Sequence, residues 1–99
     1  MEWNPCVYML ASKPHGTLYV GVTSNLIQRV GQHRANLTGG FTRKYTVHRL
    51  VWFELHEEMY AAITREKKLK RWKRAWKIAL IEESNPDWLD LYPGLVAGR

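Results

Sequence analysis

Residues 16–34, GTLYVGVTSNLIQRVGQHR, decide how the surrounding chain folds. Residues 17–22 form a short apolar run rich in β-branched side chains, with one tyrosine in it, which predicts a strand. Ser24 or Asn25 then provides a helix cap, and the apolar residues that follow recur at helical spacing. A strand, a cap and a helix within one short stretch predict a tight β–α junction.

A second strand precedes this junction. Residues 6–10 (CVYML) are apolar and predict a strand, and residues 11–16 (ASKPHG) predict a turn because proline and glycine favour one. Two strands joined by a short turn predict an antiparallel hairpin. Tyr8 and Tyr19 then lie on neighbouring strands, and the register of the hairpin decides whether both face the same side.

A third strand and a glycine-containing loop follow the first helix. Residues 37–46 (LTGGFTRKYT) predict a loop with a hinge at Gly39–Gly40. Residues 48–55 (HRLVWFEL) predict a strand whose apolar centre is buried on both faces or lies centrally in the sheet.

The remaining chain predicts two helices and a tail. The acidic pair at residues 57–58 favours a helix start, a bend is expected near residues 72–74, and a last helix covers residues 75–84 before an Asn–Pro pair ends it. Residues 87–93 are expected to pack as a tail and residues 94–99 to fray. The apolar stripe of these helices consists of Met59, Ala62, Ile63, Leu69, Trp72 and Trp76.

The predicted element order is β-β-α-β-α-α. It indicates a small α/β (α+β) fold in which helices flank a three-stranded, mainly antiparallel sheet. Residues 1–99 predict a single domain with a core over about residues 4–91. The two tryptophans of the stripe are expected to be core residues rather than base-stacking platforms.

Positive charge is concentrated in one segment. The formal net charge is +6, yet residues 65–77 hold eight basic residues and one acid, so the rest of the chain has seven basic against eight acidic residues. Clustered cations are what binding to a phosphate backbone requires. The residues predicted to bind nucleic acid are Arg43, Lys44, Lys67, Lys70, Arg71, Lys73, Arg74 and Lys77.

Cysteine content and hydropathy exclude several classes of protein. Cys6 is the only cysteine, which excludes an internal disulfide and a zinc site of the CxxC type. The first residues lack the basic start and apolar stretch of a signal peptide, and no run is long enough to cross a bilayer. A cytoplasmic protein is expected, associated with the nucleoid if the source is bacterial.

Glu66 is the most informative acid, because it falls within the apolar stripe of its helix. A carboxylate is costly to bury unless it is paired with or bound to a cation. An ion pair with Lys70, one turn later, is one interpretation. The other is that Glu66 supplies an oxygen to a divalent metal, since one carboxylate with water and a substrate phosphate commonly holds magnesium. Spacing alone leaves both open.

Arg29 and His33 lie one turn apart, beside a strand end. Both would be ordinary residues on a solvated helix face, but at this junction Arg29 would stabilise negative charge on a phosphate and His33 would donate or carry a proton. Tyr8 and Tyr19 have two interpretations as well, as core residues or as groups that position water.

Taken together, these motifs resemble the GIY-YIG nuclease superfamily. Residues 6–8 (CVY) correspond to its first motif and residues 19–21 (YVG) to its second, followed by a helix with Arg29 and His33. The segment REKKLKRWKRAWKIALIEESNPDW, residues 65–88, is similar to small stand-alone bacterial members, which in turn resemble the nuclease domain of the excision-repair subunit that makes one of two incisions.

The resemblance covers about residues 4–91 and assigns further roles. It places the metal-binding glutamate at Glu66 and the late asparagine of the family at Asn85, in a supporting role. The one departure is Cys6, which stands where the first motif has glycine and affects the strand backbone rather than the chemistry.

The resemblance implies phosphodiester hydrolysis with one divalent ion, Mg²⁺ or Mn²⁺. Water attacks the phosphorus with help from Tyr19, supported by Tyr8, while Glu66 holds the metal and Arg29 and His33 stabilise the developing charge. The expected partner is DNA, branched or damaged. A structure-selective endonuclease of DNA repair or recombination is therefore the predicted function. The rivals are a binding module with the same fold that does not cut, and a basic RNA-associated protein.

Overall fold

Three antiparallel strands form the centre of the computed structural model, which describes residues 4–37 and 40–98. The strand order is β2-β1-β3, and both pairings are antiparallel. The elements are β1 (Cys6–Ala11), β2 (Leu18–Thr23), α1 (Leu26–Arg34), α2 (Phe41–Lys44), β3 (Arg49–Leu55), α3 (Met59–Arg71), α4 (Arg74–Ser84) and α5 (Tyr92–Ala97). The predicted α+β class, hairpin and three-stranded sheet are confirmed.

The central strand is β1, and not β3 as one interpretation of the sequence had it. Every residue of β1 is buried, whereas β3 lies at an edge. Residues 50–52 are nevertheless buried, because the chain after α4 covers this edge. The amide of Leu91 donates to the carbonyl of Leu50 at 2.8 Å, and Nδ2 of Asn85 donates to the carbonyl of Val51 at 3.0 Å.

The sheet separates two cores. On one face Val7, Met9 and Val20 pack with Ala62 and Leu69 of α3. The other face, where β1 contributes Cys6, Tyr8 and Leu10, packs against Leu26 and Val30 of α1. Alternate residues of β1 therefore serve opposite cores, as the two-residue period of a strand dictates.

Two predicted irregular segments contain helices. The four residues of α2 lie within the predicted loop; Gly40 precedes them with φ of 75°, a conformation that glycine tolerates, and Gly39 lies outside the described residues. Residues 94–97, expected to fray, belong to α5. Leu95 packs against the core on the α1 face, so tertiary contact stabilises this short helix.

The predicted bend between the last two long helices is confirmed, but one side chain beside it was misplaced. Trp72 and Lys73 have extended backbone angles and separate α3 from α4. Trp72 is half-buried against the core on the α3 face, whereas Trp76, predicted to lie in the core, is 54% exposed. The bend rotates α4 relative to α3, so one helical stripe does not continue through both. Within the described ranges, no helix is long and apolar enough to span a membrane.

Candidate active site

The register of the hairpin places both tyrosines on the α1 face of the sheet. Tyr8 pairs with Gly21, and Tyr19 pairs with Leu10, two positions along β1. The rings of Tyr8 and Tyr19 are thus diagonal neighbours, with centroids 6.3 Å apart. Gly21 makes room for this arrangement, because a Cβ atom there would lie 2.4 Å from Cζ and 2.5 Å from the hydroxyl oxygen of Tyr8.

Gly21→Ala is expected to destabilise the protein by about 1–3 kcal/mol, because the new methyl group forces the buried Tyr8 ring to move. The free energy of unfolding from urea titrations measures the effect. Gly94→Ala is the matched control, since a Cβ atom at Gly94 meets nothing within 4 Å and alanine favours the helix there. Equal stability of the two variants would contradict the steric role of Gly21.

A buried hydrogen-bond chain connects Tyr8 to two residues distant in sequence. The Tyr8 hydroxyl lies 3.0 Å from Nε2 of His33, and Nδ1 of His33 lies 3.0 Å from Oγ1 of Thr42. These three side chains are at most 3% exposed. Because both ring nitrogens of His33 have hydroxyl neighbours, its orientation and tautomer are set by the groups at either end.

The surroundings of the hydrogen-bonded side chains of Tyr8 and His33 keep both of them uncharged at neutral pH. Burial and the neighbouring Tyr19 raise the pKa of Tyr8 to about 12, while a hydrogen bond from Arg29 and its charge act in the opposite direction. Burial, with the charges of Arg29 and His48, lowers the pKa of His33 to about 4. His33 is therefore a neutral hydrogen-bonding group, rather than a cation, under most conditions.

His33 should make the free energy of unfolding depend on pH below neutrality. Its native pKa, about 4, lies below the value of about 6.5 for an unfolded chain, so the unfolded state binds the proton more tightly. Its stabilising contribution is complete above pH 6.5 and falls as pH drops towards 4, by about 3 kcal/mol in total. Denaturation curves between pH 7.5 and 4 should show this loss. His33→Gln should flatten the dependence, and an unaltered dependence in that variant would contradict the role of His33.

Helix α1 directs Arg29 to the same cluster. Asn25 caps the helix, as predicted, and its side chain accepts a hydrogen bond from the amide of Gln28 at 3.2 Å. One turn into the helix, Nη1 of Arg29 donates to Oε1 of Gln32 at 3.2 Å, and the guanidinium lies close enough to Tyr8 to oppose the rise in its pKa. The positive charge is thereby held beside the tyrosine rather than left free in solvent.

Tyr19 is the more accessible of the two tyrosines. It is half-buried, whereas Tyr8 is 1% exposed. The Tyr19 ring lies 5.4 Å from the His33 ring and 6.3 Å from that of Phe41, between centroids. The structure therefore brings together all four residues that the sequence assigned to catalysis: Tyr8, Tyr19, Arg29 and His33.

Glu66 comes from α3, across the sheet from this cluster. It lies between Ala62 and Leu69 on the buried side of the helix and is 9% exposed. Helix α3 packs against β1 and against β2, the edge strand that carries Tyr19. The Glu66 carboxylate forms an ion pair with Nζ of Lys70 at 2.7 Å, the geometry of the first interpretation.

The environment of Glu66 also suits a metal ligand. A nearly buried carboxylate offers a hard oxygen donor, and its present partner is the half-exposed end of a flexible lysine. Among the described residues no cluster of three or more His, Cys, Asp or Glu side chains could enclose an ion. One carboxylate oxygen donor can hold Mg²⁺ when water and a substrate phosphate complete the coordination, and the Glu66 carboxylate fits that type of site.

Comparison with known proteins assigns the family. Residues 4–79 match the family described as the GIY-YIG catalytic domain, which is more than half of the chain. The chain belongs to the GIY-YIG family. Its match extends from β1 into α4 and includes the four clustered side chains and Glu66. The predicted membership is confirmed, and it identifies the chain with a nuclease-type family.

The relatives are small proteins of the UPF0213 group. The chain is 37% identical over 67 residues to one from Haloquadratum walsbyi, covering 68% of this chain and 75% of the relative. Identity is 34% over 79 residues to one from Clostridium perfringens, covering 80% and 84%. The solution structure of a UPF0213 protein from Bacillus halodurans matches with a TM-score of 0.56 and 25% identity, over 88% and 92%. The predicted resemblance to small GIY-YIG proteins is thus confirmed.

Asn85 lies apart from the GIY-YIG cluster, at the β3 edge. Its Nδ2 donates to the carbonyls of Val51 and Leu89, and its Oδ1 accepts from the amide of Leu89. The side chain ends α4 and fastens the following segment to the sheet. Its structural role is therefore clear, and a supporting role in chemistry stays a prediction.

The predicted nucleic-acid residues fall into distinct groups. Arg43 and Lys44 are exposed on α2, the helix whose Phe41 ring stacks on Tyr19, and the remaining six come from α3, α4 and the bend between them. Arg74 is engaged, because its Nη2 donates to the carbonyls of His15 and Gly16 at 2.6 and 2.7 Å. It fastens the β1–β2 turn to α4.

Sequence reasoning missed Thr42, the buried partner of His33. A threonine within a glycine-containing segment suggests a loop, and nothing in its spacing points to a histidine nine residues earlier. It also missed Gln32 as the partner of Arg29, although its position three residues along a helix was a usable signal.

Proposed function

We propose that this GIY-YIG protein is a DNA endonuclease that hydrolyses phosphodiester bonds with one Mg²⁺ or Mn²⁺ ion. The observation that supports it is the cluster of Tyr8, Tyr19, Arg29 and His33, in which Tyr8 and His33 are buried and hydrogen-bonded and the other two are half-buried beside them. Burying such groups costs stability, and an apolar core needs none of them. A catalytic function would account for this cost in stability.

Each residue has a distinct part in the proposed reaction. The guanidinium of Arg29 binds a non-bridging phosphate oxygen and stabilises the charge that grows there. Tyr19, being accessible, positions the attacking water, while the buried Tyr8 and neutral His33 orient it and Arg29. Glu66 would hold the divalent ion, which would supply charge neutralisation at the phosphate.

We propose that the substrate is branched or damaged DNA of the kind that arises in repair or recombination, and that the protein encounters it in the nucleoid. The exposed cations of α2 and α3 contact phosphates without reading base sequence, and the small domain offers little surface for sequence recognition. Recognition of DNA shape is the selectivity that such a surface supports.

A non-catalytic DNA-binding module is the second candidate. The ion pair between Glu66 and Lys70 favours it, because the lysine ammonium already neutralises the carboxylate that the endonuclease needs for metal. A binding module would retain this pair permanently, whereas in an endonuclease the metal would displace the flexible lysine.

A cleavage panel tests the two candidates. Supercoiled, nicked, flapped and four-way-branched DNA are incubated with the protein and Mg²⁺ or Mn²⁺, and each reaction is repeated with a chelator. Metal-dependent cuts that disappear in the Arg29→Ala protein prepared in parallel support the endonuclease, because a contaminating nuclease would survive that substitution. Binding without cleavage on every substrate and with either metal would favour the binding module.

The basic residues of α3, α4 and the bend between them form the predicted DNA-binding surface, which can be tested through the salt dependence of DNA binding. The sequence suggests charge reversal of Lys70, Lys73 and Arg74 as the test. In the structure, however, Lys70 pairs with Glu66, and Arg74 fastens the β1–β2 turn. Lys67→Glu, Arg71→Glu and Lys73→Glu avoid both effects. Each lost phosphate contact should reduce the slope of log K against log salt by about 0.9. Lys13→Glu, at an exposed position in the β1–β2 turn, is the control. An unchanged slope in the triple variant would show that DNA binds to a different surface.

A further inference from the structure

Helix α2 turns different side chains to the interior and to solvent. Thr42 points inward and is 3% exposed, whereas Phe41 and Tyr45 on its other side are 45% and 46% exposed. The Phe41 and Tyr45 ring centroids are 4.8 Å apart, so the two rings form one aromatic surface. Paired exposed aromatic rings of this size are unusual on a soluble domain and indicate a binding surface.

This aromatic surface is continuous with the candidate active site. Phe41 stacks on Tyr19 with an interplanar angle of 28° and centroids 6.3 Å apart. Tyr19 in turn contacts the ring of His33. A group lying on Phe41 would therefore be separated from the catalytic cluster by a single aromatic ring.

The charge around the rings indicates what binds there. Residues 40–46, GFTRKYT, contain two cations and no acid. Nζ of Lys44 lies 5.4 Å from the Tyr45 ring centroid, and Arg43 is exposed on the same short helix. Aromatic faces next to cations match a nucleotide, whose base stacks while its phosphate meets positive charge.

We propose that Phe41 and Tyr45 form a stacking surface for an unpaired DNA base adjacent to the phosphodiester bond that is cut. Within a duplex both faces of a base are covered by its neighbours, so only an unpaired or extruded base can present a face to these rings. This inference rests on the proposed function, since it places the base next to the reacting phosphate, and it adds a preference for unpaired nucleotides.

Fluorescence of 2-aminopurine, measured with a chelator present, tests the stacking surface without any cleavage. The probe base is placed either in a one-nucleotide bulge or at a paired position of an otherwise identical duplex. The wild-type protein should quench the bulged probe and leave the paired probe nearly unchanged. Phe41→Ala and Tyr45→Ala should each lose the quenching and bind the bulged DNA about tenfold more weakly, with affinity for the duplex within twofold of wild type.

Two further variants separate stacking from folding. Phe41→Leu retains the apolar volume over Tyr19 but lacks an aromatic face, so it should behave like Phe41→Ala if stacking is responsible. Tyr60→Ala is the matched control, because Tyr60 is 78% exposed on α3, away from α2. Quenching and affinity in Tyr60→Ala should equal those of the wild type.

Several outcomes would overturn the inference. Equal loss of bulged and paired binding in the α2 variants would show a general contact without stacking. Wild-type dimers that dissociate in Phe41→Ala, with unaltered probe fluorescence, would identify the surface as an interface between two copies of the chain. Quenching by a protein that cleaves none of the DNA substrates would support the stacking surface and contradict the endonuclease proposal. Cleavage without quenching would support the endonuclease and contradict the stacking surface.

Discussion

Glu66→Gln is expected to reduce metal-dependent DNA cleavage by at least about a thousandfold while DNA binding is retained. The amide preserves the size of the nearly buried side chain but removes the charge that would hold a divalent cation. A bound metal contributes several kcal/mol to stabilising a phosphoryl transition state, and a thousandfold corresponds to about 4 kcal/mol. Affinity for DNA should stay equal or rise slightly, because Lys70 loses its acidic partner and becomes free to meet a phosphate.

Single-turnover cleavage and fluorescence anisotropy measure the two quantities separately for Glu66→Gln. Mn²⁺ binding, followed by electron paramagnetic resonance, adds a readout that does not require activity and should weaken in the same variant. Glu83→Gln on α4 removes an exposed carboxylate and serves as the control with wild-type rates. Cleavage by Glu66→Gln within tenfold of wild type would show that this carboxylate does not hold the metal.

Arg29→Ala is expected to lower the single-turnover rate by about a hundredfold to a thousandfold, the usual cost of losing one preorganised donor to a developing charge. The guanidinium is held by the side chain of Gln32, so it needs little reorganisation to meet a phosphate. Arg29→Lys should recover only part of the rate, because an ammonium lacks the planar fork that binds two oxygens.

A second measurement reports on Arg29 independently of catalysis. The charge of Arg29 helps to depress the pKa of His33, so the His33 pKa should rise in Arg29→Ala, as followed by NMR titration. Arg34→Ala, on the same helix, removes an ion pair with Asp90 instead and should alter neither the rate nor this pKa appreciably. An unshifted His33 pKa in Arg29→Ala would contradict the proximity of the two residues.

Local patterns predicted most of the element types correctly. The apolar runs of the hairpin, the Asn25 cap and the charge-rich helices all act over a few residues, which is the range that sequence patterns report. The errors involved α2 and α5, which are too short to be stable alone. Helix α5 packs against the core on the α1 face, and α2 is held by the contact of Thr42 with His33 and of Phe41 with Tyr19. Trp76 was misplaced for a related reason, since the bend at Trp72 reorients the helix after it.

The sequence by itself determined the family, the hairpin with its two tyrosines, the concentration of cations, and the unusual carboxylate at Glu66. Only the tertiary structure decided that Tyr8 faces Gly21, that His33 is buried against Thr42, and that Glu66 reaches the sheet from the side opposite the cluster. Residue types and spacing act along the chain, whereas the pKa values and contacts of the site arise between segments separated by many residues. Those properties follow from burial and strand register, which are set when the two faces of the sheet are packed.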